Sequence, residues 1–260
     1  MMHYLDPAPQ NPHPVLLLHG LGSSAASWQA QLPALAQAGF RPIAVDLPGF
    51  GRTPYHGQWS PWHAAQEALA LLESLRALPA HVVGISMGGT VALAAGLDFP
   101  EQVRSLTLVN TFAALRPDGL RGWVYFAFRM FLVHTVGLEA QAKRVVWHIF
   151  PKPEQEALRQ ELFAEITQAD PRAYRAAMRA LARFNVTARL QEIRCPTLVI
   201  TGAEDTTIPP KTQAMLAQGI PQARQVVIPG AGHAVIADSP DAFNQALLAF
   251  LREVNHAALD

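Results

Sequence analysis

Short continuous apolar runs recur along the chain, and patterns typical of helices separate most of them. Runs that are apolar on both faces are typical of strands in a parallel sheet covered by helices. Six runs have the length of a strand: Pro14–His19, Arg41–Asp46, His81–Val83, Val103–Asn110, Pro196–Thr201 and Gln225–Ile228. Strands that alternate with helices indicate βαβ units. The pattern therefore predicts an α/β fold with a mostly parallel sheet and helices on both of its faces.

Helical patterns accompany these strands. The segment Ala25–Leu35 has its large apolar residues on one stripe and predicts a helix. A second helix is predicted to begin at Ser60 and Pro61 and to run to about Leu78, because serine is a good N-cap and proline a good first helical residue. The same Ser-Pro pair at Ser239 begins a last helix, whose apolar residues form a core-facing stripe.

The alternation of strands and helices breaks between about Phe112 and Glu192. Helical patterns interrupted by prolines are found there, and no convincing strand. The sheet pattern then resumes. We therefore predict a helical cap inserted into an α/β core, with the core at residues 1–112 and 193–260 and the cap at residues 113–192.

Composition narrows the class of protein. The chain has 260 residues, half of them hydrophobic, which suits one domain with an insertion. Lys plus Arg and Asp plus Glu number 20 each, and the sequence lacks the basic stripe that nucleic acid requires. The single cysteine, Cys195, excludes an internal disulfide and suits a reducing compartment. No signal peptide or membrane span is evident. We expect a cytoplasmic protein without nucleic-acid partners, and its oligomeric state stays open.

A serine stands at the apex of a sharp turn in the segment Gly84–Gly88, GISMG. A strand pattern precedes the turn and an alanine-rich helical stretch follows it. Such a turn strains the serine backbone, and the flanking glycines lack the Cβ atoms that would strike the adjoining strand and helix. Ser86 would then project its hydroxyl from the C-terminal edge of the sheet, with the amide of Met87 directed into the same space.

A serine hydroxyl becomes a nucleophile when a base takes its proton, and a histidine base needs a carboxylate to fix its tautomer. Among the ten histidines, His233 stands out because it follows a short strand in the tight glycine loop Pro229–His233. Asp205 follows the preceding strand in the corresponding way. Loops at the C-terminal edge of one sheet could bring both residues to Ser86. The predicted roles are nucleophile for Ser86, base for His233 and orienting acid for Asp205.

These motifs resemble those of α/β-hydrolase-fold serine hydrolases of the capped carboxylesterase and lactonase type. The resemblance spans nearly the whole chain and rests on five segments: His19–Gly22, Asp46–Thr53, Gly84–Gly88, Gly202–Pro209 and Gly230–His233. The chain order of serine, aspartate and histidine is that of the family. The resemblance implies that the backbone amides of Leu21 and Met87 form an oxyanion hole, each worth roughly 3–4 kcal/mol of transition-state stabilisation.

Some of these assignments have alternatives. Ser86 could be an ordinary helix N-cap. Glu204 could replace Asp205 as the acid, although the family pattern favours Asp205. His19 is expected to hydrogen-bond near the oxyanion loop rather than to take part in the chemistry directly.

A different class of function also fits part of the chain. The segment Gly20–Ala25 matches G-x-G-x-x-A between a strand and a helix, and Asp46 lies where a ribose-binding acid would stand in an NAD site. An NAD site would leave the serine turn, Asp205 and His233 without a purpose, so Asp46 and Arg52 are expected to hold a loop together. Metal-ligand spacing is absent from the sequence. A ligand receptor without turnover stays open, and turnover kinetics would separate it from an enzyme.

The cap carries the information on substrate. Gly119–Val136 is apolar almost all round, which is typical of a helix that is buried or shared between core and pocket. Cap aromatics could pack on the core or line an apolar pocket above the serine; the candidates are Trp123, Phe126, Phe131, Trp147 and Phe150.

We therefore predict a cofactor-free, metal-independent serine esterase that cleaves a small, mostly apolar carboxylic ester through an acyl-enzyme. Hydrolysis of an enol-lactone type of lactone, C–C bond hydrolysis and perhydrolysis stay open on the same scaffold.

Overall fold

Seven strands form one sheet in the computed structural model, which describes residues 1–115 and 119–257 apart from the side chains of residues 121, 123, 125 and 126. The strands are β1 (Tyr4–Leu5), β2 (His13–Leu18), β3 (Phe40–Val45), β4 (Ala80–Ile85), β5 (Val103–Val109), β6 (Thr197–Gly202) and β7 (Arg224–Ile228). Their order is β1-β3-β2-β4-β5-β6-β7, and each neighbouring pair is parallel except β1 with β3. The predicted α/β fold class is confirmed. Strand β1 was missed because two residues are too few to give an apolar pattern.

The helices lie in the connections between the strands and after the last strand. They are α1 (Leu32–Gln37), α2 (Pro61–Ser74), α3 (Met87–Asp98), α4 (Gly119–Thr135), α5 (Leu138–Ile149), α6 (Glu156–Gln168), α7 (Pro171–Arg183), α8 (Pro210–Gly219), α9 (Val235–Asp238) and α10 (Pro240–Ala257). The single helix expected over Ala25–Leu35 is instead a 3₁₀ turn, Ala25–Trp28, followed by α1. Pro33 lacks the N–H that a continuous helix would need there. Helix α2 ends before Leu78 because Arg76 has a positive φ of 53°.

Helices cover both faces of the sheet because side chains alternate along each strand. In β2, Leu16 and Leu18 belong to an apolar cluster with α2 and α3. Val15 and Leu17 point the other way and belong to a cluster with Trp28 and α10. Functional side chains of such a sheet collect in the loops at the carboxyl ends of its strands.

A helical insertion, α4 to α7, lies between β5 and β6. Its entry and exit meet in a short neck, where the Val186 N–H donates to the Ala113 carbonyl at 2.9 Å and Ala114 pairs with Asn185 in an isolated bridge. The insertion is present where the sequence predicts it, and the division into a core and a cap at 113–192 stays a prediction. None of the helices in the described part of the chain has the length and apolar character needed to cross a membrane.

Candidate active site

The turn between β4 and α3 holds Ser86 in a strained conformation. Ser86 has φ 55° and ψ −114°, a region that residues with a Cβ rarely adopt, and its side chain does not cap α3. Its N–H donates to the Val109 carbonyl at 2.9 Å, and its carbonyl accepts from Thr111 Oγ1 at 2.7 Å. A Cβ on Gly84 would overlap the backbone of Gly88, and one on Gly88 would overlap the end of β2. Both glycines are therefore required by the turn, which presents the hydroxyl at the sheet edge.

The structure brings the three predicted catalytic residues into one hydrogen-bonded chain. Ser86 Oγ lies 3.1 Å from His233 Nε2, and His233 Nδ1 lies 2.9 Å from Asp205 Oδ2. A carboxylate only accepts hydrogen bonds, so we assign the ring proton to Nδ1 and the lone pair that faces the serine to Nε2. Asp205 and His233 are 3% and 7% exposed, so little water competes for these bonds. This arrangement can take the serine proton and keep the resulting imidazolium paired with a carboxylate.

Four hydrogen bonds hold the carboxylate of Asp205. Its Oδ1 accepts from the backbone N–H groups of Thr207 and Ile208, at 2.8 and 2.9 Å. Its Oδ2 accepts from His233 and from Nε2 of Gln213, the latter at 3.1 Å. Gln213 is fully buried and also donates to the Ile208 carbonyl at 2.9 Å. These donors therefore hold the carboxylate in contact with the histidine ring.

Glu204, the alternative acid, lies at the surface. Its carboxylate is 3.4 Å from Nζ of Lys152, and both side chains are largely exposed. Asp205 is the carboxylate that contacts His233. The geometry therefore favours Asp205 over Glu204 as the orienting acid.

The loop after β2 also comes close to the serine. A Cβ on Gly20 would lie 3.7 Å from Cβ of Ser86. His19 is fully buried: its Nδ1 donates to the Gly20 carbonyl at 2.8 Å and its Nε2 accepts from the Leu47 N–H at 2.9 Å. Burial lowers the pKa of His19 to about 4, so the ring is neutral. His19 thus fixes the backbone next to Leu21, as expected, and the oxyanion role of the Leu21 and Met87 amides stays a prediction.

Asp46 is already occupied by protein groups. Its Oδ1 accepts from the Ala25 N–H at 2.7 Å, and its Oδ2 accepts from the Arg52 N–H at 2.8 Å and lies 2.8 Å from Nδ1 of His3. The side chain is also buried. A ribose would have to displace these partners, so the geometry disfavours the dinucleotide alternative and agrees with a role in holding the loops.

A cavity of about 890 Å³ lies between the sheet edge and the insertion. Ser86, His233 and Leu21 line its floor. The insertion contributes mostly apolar side chains: Val145, Ile149, Phe150, Leu158, Leu162, Met178 and Leu181. The serine hydroxyl therefore opens onto a space whose lining is largely apolar.

Of the five aromatic residues predicted to line this cavity, Phe150 does so. Phe131 and Trp147 are 58% and 59% exposed and lie outside the cavity lining, so their assignment is corrected. Phe131 lies on α4, whose sequence is apolar almost all round. The sequence therefore does not determine which side of this helix faces the cavity. Trp147 stacks instead on Arg159, whose guanidinium carbon lies 4.1 Å from the ring centroid. The side chains of Trp123 and Phe126 lie outside the described residues.

A family model described as alpha/beta hydrolase fold matches residues 13–240, a range that contains Ser86, Asp205 and His233. This chain belongs to the α/β-hydrolase family.

Several named proteins are similar to this α/β-hydrolase. A protein named "Putative carbamate hydrolase RutD" from Variovorax paradoxus (strain S110) is 33% identical over 261 residues, which cover 98% of this chain and 97% of the relative. The structure of a thermophilic esterase from Thermogutta terrifontis matches with a TM-score of 0.86 at 29% identity, over 97% and 93% of the two chains. The enol-lactonase from Burkholderia xenovorans LB400 has a TM-score of 0.88 at 24% identity, over 96% of each chain, and shows the shared fold alone.

Two residues that support the site in this α/β-hydrolase were missed in the sequence. Asn110, at the end of β5, donates to the carbonyls of Gly232 and His233 at 2.9 and 2.6 Å and accepts from the Gly202 N–H at 2.8 Å. Its backbone φ is 44°. Asn110 thus ties the histidine loop to the end of β6, and Gln213 supports the acid. A polar residue directly after a buried strand is a signal that could have found Asn110; Gln213 sits in α8 without any such signal.

Four ionisable side chains of the insertion also reach the cavity: Arg129, His148, Glu161 and Glu165. Gln141, with its amide oxygen turned toward the guanidinium, accepts from Nε and Nη2 of Arg129 at 2.8 and 3.0 Å. Burial lowers the pKa of His148, and the charge of Arg129 acts in the same direction. Burial raises the pKa of Glu165. The lining of the cavity in this α/β-hydrolase is thus mostly apolar and includes these four ionisable side chains. Within the described ranges, no group of three or more His, Cys, Asp or Glu side chains could hold a metal ion.

Proposed function

We propose that this α/β-hydrolase is a serine hydrolase that cleaves a small, mostly apolar carboxylic ester through an acyl-enzyme. The observation that carries the proposal is the hydrogen-bonded chain from Ser86 through His233 to Asp205, which opens onto a cavity with a mostly apolar lining. The 29% identity to a solved esterase over nearly the whole chain supports the same reaction class.

The geometry suits a two-step acyl transfer. Ser86 Oγ attacks the ester carbonyl while Nε2 of His233 takes its proton, and Asp205 stabilises the imidazolium. The backbone amides of Leu21 and Met87 donate to the developing oxyanion. His233 then gives its proton to the leaving alcohol, which leaves the acyl group on the serine. In the second step His233 activates a water, and the tetrahedral intermediate collapses to the acid and free Ser86.

A panel of p-nitrophenyl esters from acetate to dodecanoate tests the reaction class and the acyl preference together. We expect steady turnover that chelators leave unchanged and that Ser86→Ala abolishes. An active-site phosphonate should add once, at Ser86, as read by peptide mass spectrometry. An adduct at another residue, or a single turnover without steady state, would contradict the proposal; the latter is the behaviour of a ligand receptor.

A carbamate is the second candidate substrate. It is favoured by the relative that is 33% identical over 98% of this chain and carries the name of a carbamate hydrolase. Phenyl acetate and phenyl carbamate form a matched pair, because a methyl group in one is replaced by an amino group of nearly equal size in the other. A higher kcat/KM for phenyl carbamate would favour this candidate, and a higher value for phenyl acetate would favour the ester. Lactones, C–C bonds and perhydrolysis are alternatives on the same scaffold without a specific observation in their favour.

A further inference from the structure

Glu165, on α6 of the insertion, is hydrogen-bonded to two serines of the core. Ser23 Oγ donates to its Oε2 at 2.5 Å, and Ser24 Oγ donates to its Oε1 at 2.6 Å. Distances this short are typical of hydroxyl groups that donate to a charged carboxylate. Burial raises the pKa of Glu165, and the two serine hydrogen bonds act in the opposite direction. Both carboxylate oxygens are thus used to join α6 to one short segment of the core.

That segment is the turn that carries the Leu21 amide. The Ser23 N–H donates to the Gly20 carbonyl at 3.2 Å, which closes a four-residue turn with Leu21 and Gly22 at its centre. Gly22 has a φ of 84°, the positive value that a type II turn requires at its third position. The buried imidazole of His19 also donates to the Gly20 carbonyl. The first residue of the turn is therefore fixed from the core, and the last is fixed by the carboxylate on α6.

The insertion also packs directly on this turn. A Cβ on Gly22 would lie 2.8 Å from Cγ1 of Ile166 and 2.9 Å from Cε2 of Tyr174, so glycine is the residue that fits beneath α6 and α7. Ile166 follows Glu165 in the chain, so the packing contact and the hydrogen bonds come from the same part of α6. A displacement of α6 would therefore move the turn.

We infer that Glu165 is a positioning residue that holds the Leu21 amide where the oxyanion forms, so that the insertion contributes to the rate of the reaction as well as to substrate selection. The inference rests on the proposed function, in which this amide stabilises the tetrahedral intermediate. An oxyanion donor works at about 2.7–3.1 Å, and a misplacement of about 1 Å can cost about a hundredfold in rate. Glu165 acts through the turn and needs no contact with the substrate.

The rate at which a phosphonate modifies Ser86 measures this role without knowledge of the natural ester, because phosphonylation also places a developing oxyanion against the same amides. The variants are Glu165→Ala, Glu165→Gln and, as a matched control, Asp98→Asn. The Asp98 carboxylate binds Arg189 at 2.9 Å at an exposed site between α3 and the segment after the insertion. Asp98→Asn makes the same carboxylate-to-amide change as Glu165→Gln. It does so at a contact away from the cavity, between the end of α3 and the chain after α7.

We expect Glu165→Ala to lower both kcat and the phosphonylation rate by about tenfold or more, with KM changed by less than about twofold. Glu165→Gln should fall between wild type and Glu165→Ala, because its amide can accept from one serine and donate to the other. Asp98→Asn should behave as wild type. If Glu165→Ala does not fold by circular dichroism, Glu165→Gln and Ser23→Ala carry the test with the same expected direction.

Three results would overturn the inference: equal phosphonylation rates in wild type and the Glu165 variants, a loss that Asp98→Asn shares, or a rise in KM alone. The proposed function fails by a different result. If the phosphonate leaves Ser86 unmodified in the wild-type protein, the serine mechanism itself is wrong. If the phosphonate labels Ser86 at the same rate in wild type and all variants, the proposed function stands and the role of Glu165 is wrong.

Discussion

Oδ2 of Asp205 accepts a hydrogen bond from Nδ1 of His233 at 2.9 Å, which leaves Nε2 of the ring to accept the proton of Ser86. We expect Asp205→Asn to lower kcat/KM by about 10²–10⁴, because an amide at this position can donate to the ring and stabilise the wrong tautomer. Ser86→Ala and His233→Ala should cost similar amounts, since the residues act as a unit. Hydrolysis of a p-nitrophenyl ester measures the loss, and Glu204→Gln is the matched control. Retention of more than about a tenth of the activity in Ser86→Ala would contradict the mechanism.

Two glycines on α3 should respond differently to alanine. A Cβ on Gly88 would overlap the backbone of Leu18, which moves only with β2, whereas a Cβ on Gly96 would lie 2.7 Å from the flexible end of the Leu106 side chain. We expect Gly88→Ala to lower the free energy of unfolding by more than about 3 kcal/mol and to abolish activity. Gly96→Ala should change it by about 1 kcal/mol or less, because the alanine gains helix propensity. Urea unfolding measures the free energy of unfolding of both variants. A loss for Gly88→Ala as small as that for Gly96→Ala would show that the close approach at Gly88 is unimportant.

The cavity lining predicts which cap aromatic sets specificity. Phe150 lines the cavity, whereas Trp147 is exposed and stacks on Arg159. We expect Phe150→Ala to shift the preference between short and medium acyl esters by roughly 1–3 kcal/mol in relative kcat/KM, the range for a methylene-scale change in a pocket. Trp147→Ala should leave that ratio unchanged. The two variants are assayed side by side, and an equal effect of both on every ester would mean that Phe150 only holds the cap in place.

His81 should make the fold sensitive to acid. The ring is buried in β4, with Nδ1 2.7 Å from Ser105 Oγ and Nε2 3.0 Å from Asn255 Oδ1. Burial is the main cause that lowers its pKa from 6.5 to about 4. Between these values the unfolded chain binds the extra proton and the folded protein does not. The stabilisation is therefore complete above about pH 6.5 and is lost as the pH falls toward 4, by about 2 kcal/mol at pH 5.

The variant His81→Gln isolates this contribution. Its free energy of unfolding should fall by about 2 kcal/mol less between pH 7 and pH 5 than that of wild type. His19, whose pKa is also lowered to about 4, causes a loss of stability at acid pH in both proteins. That loss therefore cancels when wild type and variant are compared. Urea unfolding at the two pH values gives the difference. An identical pH dependence in wild type and variant would remove His81 from the explanation.

Much of the fold could be read from the sequence because each buried strand is a short apolar run that ends at a glycine, a proline or a polar residue. The predicted run Val103–Asn110 differs from β5 by one residue, and Pro196–Thr201 is shifted by one from β6. The errors have local causes. Pro33 divides a helix whose apolar stripe continues across the break, and β1 is too short for any periodicity.

The parts of the site that lie in motifs could also be predicted, and the parts that depend on packing could not. Ser86, Asp205 and His233 each stand in a glycine- or proline-containing turn after a strand, so their positions follow from the topology. Glu165 is one glutamate on an amphipathic helix, and its contact with the core depends on how the insertion is seated. Phe131 was misassigned for the same reason, because an all-round apolar helix does not reveal which side faces the pocket.

The neck at Ala113 and Val186 has an evolutionary consequence. β5 and β6 are adjacent in the sheet, so the chain leaves and re-enters the core at neighbouring points. In the neck, a backbone hydrogen bond joins the two ends of the insertion. A segment with both ends at one place can be lengthened, shortened or exchanged by recombination without changing the order of the strands. If Glu165 positions the Leu21 turn, such exchanges are constrained, since a transplanted insertion must bring its own acceptor for the hydroxyls of Ser23 and Ser24. Divergence of substrate range in this lineage would then be coupled to retention of one carboxylate on the third helix of the insertion.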